Sequence, residues 1–188
     1  MGGTCTDVII QASLPTIGPF LVLFDIQLRH TPRMPRRVQA YAGLAEEKYD
    51  RPVFAVVLLL LNPGPQTVIS DRYEETFLGM HARRDFLVIK AWELDVSLVF
   101  EEGLLVLLPF VPLMRGGDNE VAIRRALQLL RDHPQLLDLE PLLAFFASYV
   151  LPIKRIERQM GQSGIWQSFE NHPGISKSMR KGISRGSL

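Results

Sequence analysis

Asp25 and Gln27 stand two positions apart at the end of an apolar run, Phe20-Leu21-Val22-Leu23-Phe24-Asp25-Ile26-Gln27. Alternate residues of a strand share a face, so the Asp25 carboxylate and the Gln27 amide would emerge side by side. A shorter β-type run, Asp7 to Gln11, precedes Leu14-Pro15-Thr16-Ile17-Gly18-Pro19, where Pro and Gly mark a turn. Asp7 and Asp25 are equidistant from Thr16, so a hairpin folded there sets them opposite each other. Directly opposed residues have Cβ atoms about 4.5–5.5 Å apart on one face. A slip of one residue would send Asp7 to the other face, so the turn carries the inference. Two carboxylates that close repel unless a proton or a cation lies between them. Oxygen-only ligands suit Mg²⁺ or Mn²⁺, and such an ion can make water a nucleophile and stabilise charge on a phosphate.

Basic residues crowd the next segment. Arg29, His30, Arg33, Arg36 and Arg37 follow Gln27, and no acid appears until Glu46. Arginine forks match phosphate oxygens, and a patch of this kind could hold a nucleic-acid backbone. Arg37 and Tyr41 are one helical turn apart and could both point at the sheet edge.

The elements that must position these groups are readable in outline. Met34-Pro35 opens a helix running to about Tyr49, because a proline in the first turn loses no hydrogen bond. Val38, Tyr41 and Ala45 recur at helical spacing as its expected buried stripe. Val53 to Leu61 contains no polar residue and predicts a strand buried on both faces. Strand, helix and strand in that order predict a right-handed crossover between parallel strands, with Phe20–Gln27 and Val53–Leu61 central in the sheet. Further strands are expected over Arg72–Leu78 and Asp85–Trp92. The second half turns helical: Asp118 can cap a helix reaching about Asp132, and Leu139–Val150 and Ile153–Phe169 read as two more, parted near Pro152. From Gly174 onward the chain carries Lys177, Arg180, Lys181 and Arg185 with no acid.

Composition bounds the rest. The chain has 188 residues, 47% hydrophobic and 22% charged, with 21 basic and 20 acidic side chains giving +1. Collagen-like, coiled-coil and fully disordered readings are excluded, and no global field marks a nucleic-acid or membrane binder. Cys5 is the single cysteine, so no internal disulfide can form and a Cys-based zinc site is disfavoured. The longest apolar run is about half of what a membrane-crossing helix needs. The N-terminus lacks the basic and apolar regions of a signal peptide, so a soluble cytoplasmic protein without a membrane partner is expected. No phosphate-binding Gly-rich loop, GxGxxG or HExxH occurs, and the four histidines show no ligand spacing.

With these residues in place, a family resemblance emerges. Leu23-Phe24-Asp25-Ile26-Gln27-Leu28-Arg29, then Met34-Pro35-Arg36-Arg37-Val38-Gln39-Ala40-Tyr41, then the apolar strand from Val53, resemble the Rpn-like family of recombination-promoting, transposase-like nucleases within the PD-(D/E)XK superfamily. Val88-Ile89-Lys90-Ala91-Trp92-Glu93-Leu94, Gly103 through Pro109, and the run from Met160 through Ser163 and Trp166 to the Gly-Ile tail are similar in order and spacing. The resemblance implies a restriction-endonuclease-like α/β fold with a mixed sheet and Mg²⁺- or Mn²⁺-dependent hydrolysis of a DNA phosphodiester. Asp7 and Asp25 match the family's acids and would hold the metal, with the Ile26 carbonyl as a further ligand. Gln27, where the wider superfamily often has Lys, would orient the attacking water or the phosphate. Arg29, Arg33, Arg36, Arg37 and Tyr41 would bind DNA or steady the site. Asp25 stands where the family typically has Glu, one methylene longer. Only six residues precede Asp7, so the chain is expected to be an N-terminally shortened copy.

The expected layout is a nuclease core over 1–112, a helical region over 113–172 and a basic flexible tail over 173–188. Two alternatives to an endonuclease stand beside it. One is an inactive relative that binds DNA in a salt-sensitive way through the Arg29–Arg37 cluster. The other is an interaction module, in which the C-terminal helices form a homo-oligomer.

Overall fold

The computed structural model describes residues 6–152, Thr6 and Asp7 by their backbone alone. The expected Ile153–Phe169 helix, Trp166 and the basic tail lie outside the described residues, as does Cys5. Two compact units divide between Ala91 and Trp92, so the expected boundary near 112 falls inside the second.

The first unit is built on a four-stranded mixed sheet. Strands β1 (Thr6–Leu14), β2 (Gly18–Gln27), β3 (Val53–Leu59) and β6 (Leu87–Lys90) lie in the order β1-β2-β3-β6. β1 and β2 are antiparallel, while β2 to β3 and β3 to β6 are parallel. β2 and β3 are therefore central, as their apolar runs require. The β1–β2 turn closes with the Ile17 N–H donating to the Leu14 carbonyl at 3.2 Å, and Gly18 takes φ 82° as the chain re-enters the sheet. That conformation penalises any side chain.

Helix α1 (Met34–Tyr49) makes the crossover from β2 to β3, with Pro35 in its first turn as expected. It ends at Asp50, whose left-handed backbone lets its N–H reach the Glu46 carbonyl at 2.9 Å. Its buried stripe is Met34, Val38, Ala42 and Ala45, which correct the expected one, because Tyr41 is 37% exposed. The stripe packs on Leu21, Leu23 and Asp25 of β2, all buried, while the opposite face of β2 is only half-buried. β3 is buried at Ala55, Val57 and Leu59 on the face that α1 covers; on the other, Val56 is buried but Phe54 is 52% exposed, so the expected burial on both faces holds only in part. An all-apolar run cannot distinguish a strand sandwiched between two layers from one covered on a single side.

Strands β4 (Arg72–Phe77) and β5 (Met80–Asp85) pair with each other as a separate antiparallel ribbon. β4 agrees with expectation. β5 was not expected, and the strand expected over Asp85–Trp92 forms only at Leu87–Lys90.

The second unit is helical. A short helix α2 (Ser97–Phe100) and a 3-10 stretch (Leu105–Leu113) precede α3 (Glu120–Asp132) and α4 (Glu140–Ala147). Pro109 and Pro112 lie within the 3-10 stretch, and each lacks the N–H that a regular α-helix would use to donate to the carbonyl one turn back. Leu108 and Val111 of that stretch pack with Ile123, Leu127 and Leu130 of α3 and Leu143 of α4. This shared core is why residues 92–112 belong with the helices. Asn119, not Asp118, caps α3: its side-chain oxygen accepts from the Val121 and Ala122 N–H groups at 3.1 and 3.0 Å. Among the described residues no helix is long and apolar enough to cross a membrane.

Candidate functional site

The register of β1 on β2 pairs Asp7 with Asp25, as the turn geometry predicts. Asp25 lies on the face that α1 covers and is 1% exposed; Gln27, two residues on, is 5% exposed. Burying a carboxylate requires a partner, and two neighbours supply it. The Gln27 amide donates to Asp25 Oδ2 at 2.7 Å. One guanidinium nitrogen of Arg37, reaching down from α1, donates to Oδ1 at 3.0 Å and Oδ2 at 2.8 Å. Arg37 stands one position before Val38 of the buried stripe, at the rim where helix meets sheet.

The other basic residues spread outward. Arg29 and Arg33 are exposed. Arg36 points away from Asp25 and pairs with Glu75 of β4 at 3.2 Å, which holds the Glu75 carboxyl below its ordinary value together with the stronger Tyr73 hydroxyl contact. Arg84 of β5 donates to Glu46 of α1 at 2.5 and 3.0 Å and to Gln39 at 2.8 Å. The β4–β5 ribbon is thus tied to the same helix that carries Arg37. Glu46 responds to Arg84 with a lowered pKa, the hydrogen bond being the main cause.

The structure therefore brings Asp25, Gln27 and Arg37 together, with Asp7 opposite Asp25 in register, and leaves Arg29, Arg33 and Tyr41 exposed nearby in sequence. The Ile26 residue is half-buried on the other face of β2. Asp25 is the acid whose side chain is described here, and its carboxylate is already engaged. Both Asp25 oxygens accept from Arg37, and among the described residues no three His, Cys, Asp or Glu side chains converge. A dication at Asp25 would meet a guanidinium about one hydrogen-bond length from the same oxygens, and like charges at that distance repel.

One side chain outside the expected set shares the site's row. β2, β3 and β6 end together, because Gln27 pairs with Leu59 and Leu59 pairs with Lys90. Lys90 closes a short apolar run, Leu87-Val88-Ile89, and such a terminal lysine is the signal that could have found it. Compared with family models, with curated proteins and with solved structures, the chain has no match.

Proposed function

We propose that this chain is a restriction-endonuclease-like nuclease of the Rpn-like kind, hydrolysing DNA phosphodiesters with Mg²⁺ or Mn²⁺ and serving recombination or mobile elements. The observation that carries the reading is the pairing of Asp7 with Asp25 at the end of a strand whose next alternate residue is Gln27, beneath a crossover helix bearing Arg37. Two acids in register, an amide on the same face and a guanidinium above them are a set of groups suited to a phosphodiester and its counter-ion. In the resting arrangement Arg37 takes the place of that counter-ion, so the cation can enter only if Arg37 moves to another acceptor, such as a phosphate.

A second reading draws on that same Arg37 contact: a relative that binds DNA without cutting it, Asp25 being neutralised by Arg37 for good. Incubating the full chain with supercoiled plasmid separates the two. The nuclease reading expects nicked and linear DNA with Mg²⁺ or Mn²⁺ and none with EDTA. The non-cutting reading expects intact plasmid in every lane, with a salt-sensitive gel shift that EDTA does not alter.

A further inference from the structure

The sheet of the first unit has two edges, and they differ. β6 offers four residues and ends on Lys90, the short, charged kind of edge that resists pairing. β1 offers nine, and from Val8 to Leu14 it carries neither a charge nor a proline. Its register on β2 runs without a bulge. Val8, Ile9, Ile10 and Leu14 are 40–52% exposed.

The hydrogen-bond directions of β1 follow from those of β2. The Leu21 N–H donates to the Pro52 carbonyl and the Leu60 N–H donates to the Gln27 carbonyl, both at 2.9 Å, so odd-numbered residues of β2 bond toward β3. Its even-numbered residues then bond toward β1, where they meet Val8, Ile10 and Ala12. Asp7, Ile9, Gln11 and Ser13 are left with N–H and C=O groups turned outward, and no strand takes them up among the described residues. An open row of this kind is a template for another strand.

A second β1 fits it. Antiparallel pairing centred on Ile10 sets Ile10 against its own copy, Ile9 against Gln11 and Asp7 against Ser13. Every outward residue then meets an outward residue, and the ladder exchanges about eight main-chain hydrogen bonds, within the range of about 10 that a typical interface holds. The two Ile10 side chains share a face at the close, non-hydrogen-bonded spacing and cover each other. Asp7, the strand's single charged residue, falls opposite Ser13, so no two like charges are paired. The contact uses the same surface on both copies, so it closes at two.

We infer that the chain forms a homodimer in which two β1 strands pair antiparallel about Ile10 and join two four-stranded sheets into one. The contact is made by the edge of the first unit rather than by the C-terminal helices, and it does not depend on the nuclease reading. It sets Asp25 and its copy on one face of the joined sheet, about 25 Å apart.

The test is size exclusion with light scattering on the full chain, 21.3 kDa by sequence, and about twice that mass is expected at micromolar concentration. Ile10→Lys sets two like charges against each other, and Gln11→Pro removes an outward N–H that β2 does not use. Each is expected to weaken association by about tenfold or more, while Leu44→Lys, at an exposed position of α1, leaves it unchanged. Cross-linking guards against a folding defect in those variants. In a Cys5→Ser background, Ile10→Cys places two thiols at a Cα spacing of about 4.5 Å, within disulfide reach, and mild oxidation is expected to give a covalent dimer. Ser13→Cys, about 20 Å from its copy, is expected to stay unlinked. A monomer at every concentration overturns the proposal. So does an Ile10→Cys chain that stays unlinked, or a dimer that persists unweakened in folded Ile10→Lys and Gln11→Pro, since the contact then lies elsewhere.

Discussion

Asp25 and Arg37 form the ion pair of the candidate site, and it has an energetic signature. The carboxylate is almost fully buried, and Arg37 is about a quarter exposed. Removing one partner of a buried ion pair leaves the other charged and unsolvated, which costs about 3–5 kcal/mol. Arg37→Ala should therefore lower unfolding free energy by roughly 3 kcal/mol, read as a fall in the urea midpoint at unchanged slope. Loss below about 0.5 kcal/mol would show that Asp25 is not held as described. The Asp7–Asp25 pairing was legible in the sequence because one turn, punctuated by Pro15 and Gly18, sets the register. The partner of Asp25 was not. Helical spacing put Arg37 and Tyr41 on neighbouring positions, but at about 100° per residue Tyr41 falls about 60° from Val38, on the rim of the stripe. Small residues, Ala42 and Ala45, fill the tight space against β2 and β3 instead.

At the scale of elements, α1 is the hub: it covers the sheet, carries Arg37 and anchors the β4–β5 ribbon through Glu46 and Arg84. The folded chain holds Glu46 charged at lower pH than its ordinary value of 4.5, chiefly through the Arg84 hydrogen bond. A depressed carboxyl pKa contributes stability that is present above the ordinary value and lost as pH falls through and below it. The melting-temperature gap between wild type and Glu46→Gln should accordingly be largest near pH 7 and shrink toward about pH 3. A gap that widens on acidification would contradict the contact. The ribbon explains a sequence miss. In Met80-His81-Ala82-Arg83-Arg84-Asp85 only Met80 and Ala82 are apolar, and Arg84 interrupts their face, so the period of two is too short to mark a strand. Its two-residue turn holds Leu78 at φ 50° and Gly79 at φ 80°, where Asn-Gly would have been the recognisable signal. Leu78 is nonetheless 84% exposed.

Across the whole chain, the two units were legible to different degrees. The order strand, turn, strand, helix, apolar strand survives intact from sequence to structure, since each junction has its own Pro or Gly. The proline-broken segment over Leu105–Leu113 gave no such guide, because its apolar residues carry neither helical nor strand period. Its place in the second unit comes from packing on α3 and α4, and that packing has a narrow point. A Cβ on Gly117 would lie 1.8 Å from the Val111 carbonyl oxygen. Gly117→Ala should destabilise by about 3 kcal/mol, the upper end of the usual cost of overfilling a packed core. An unchanged urea midpoint would show that the 3-10 stretch and the loop before α3 do not meet.

The reading of the chain as a nuclease turns on Asp25. The most direct test is therefore plasmid cleavage with Mn²⁺ by the wild type and by Asp25→Asn, each checked for folding by circular dichroism. The account predicts that the wild type nicks the plasmid and that Asp25→Asn does so on the order of 100-fold more slowly, the loss expected when a group at the reacting centre is removed or misplaced. Equal cleavage by the two proteins would contradict it.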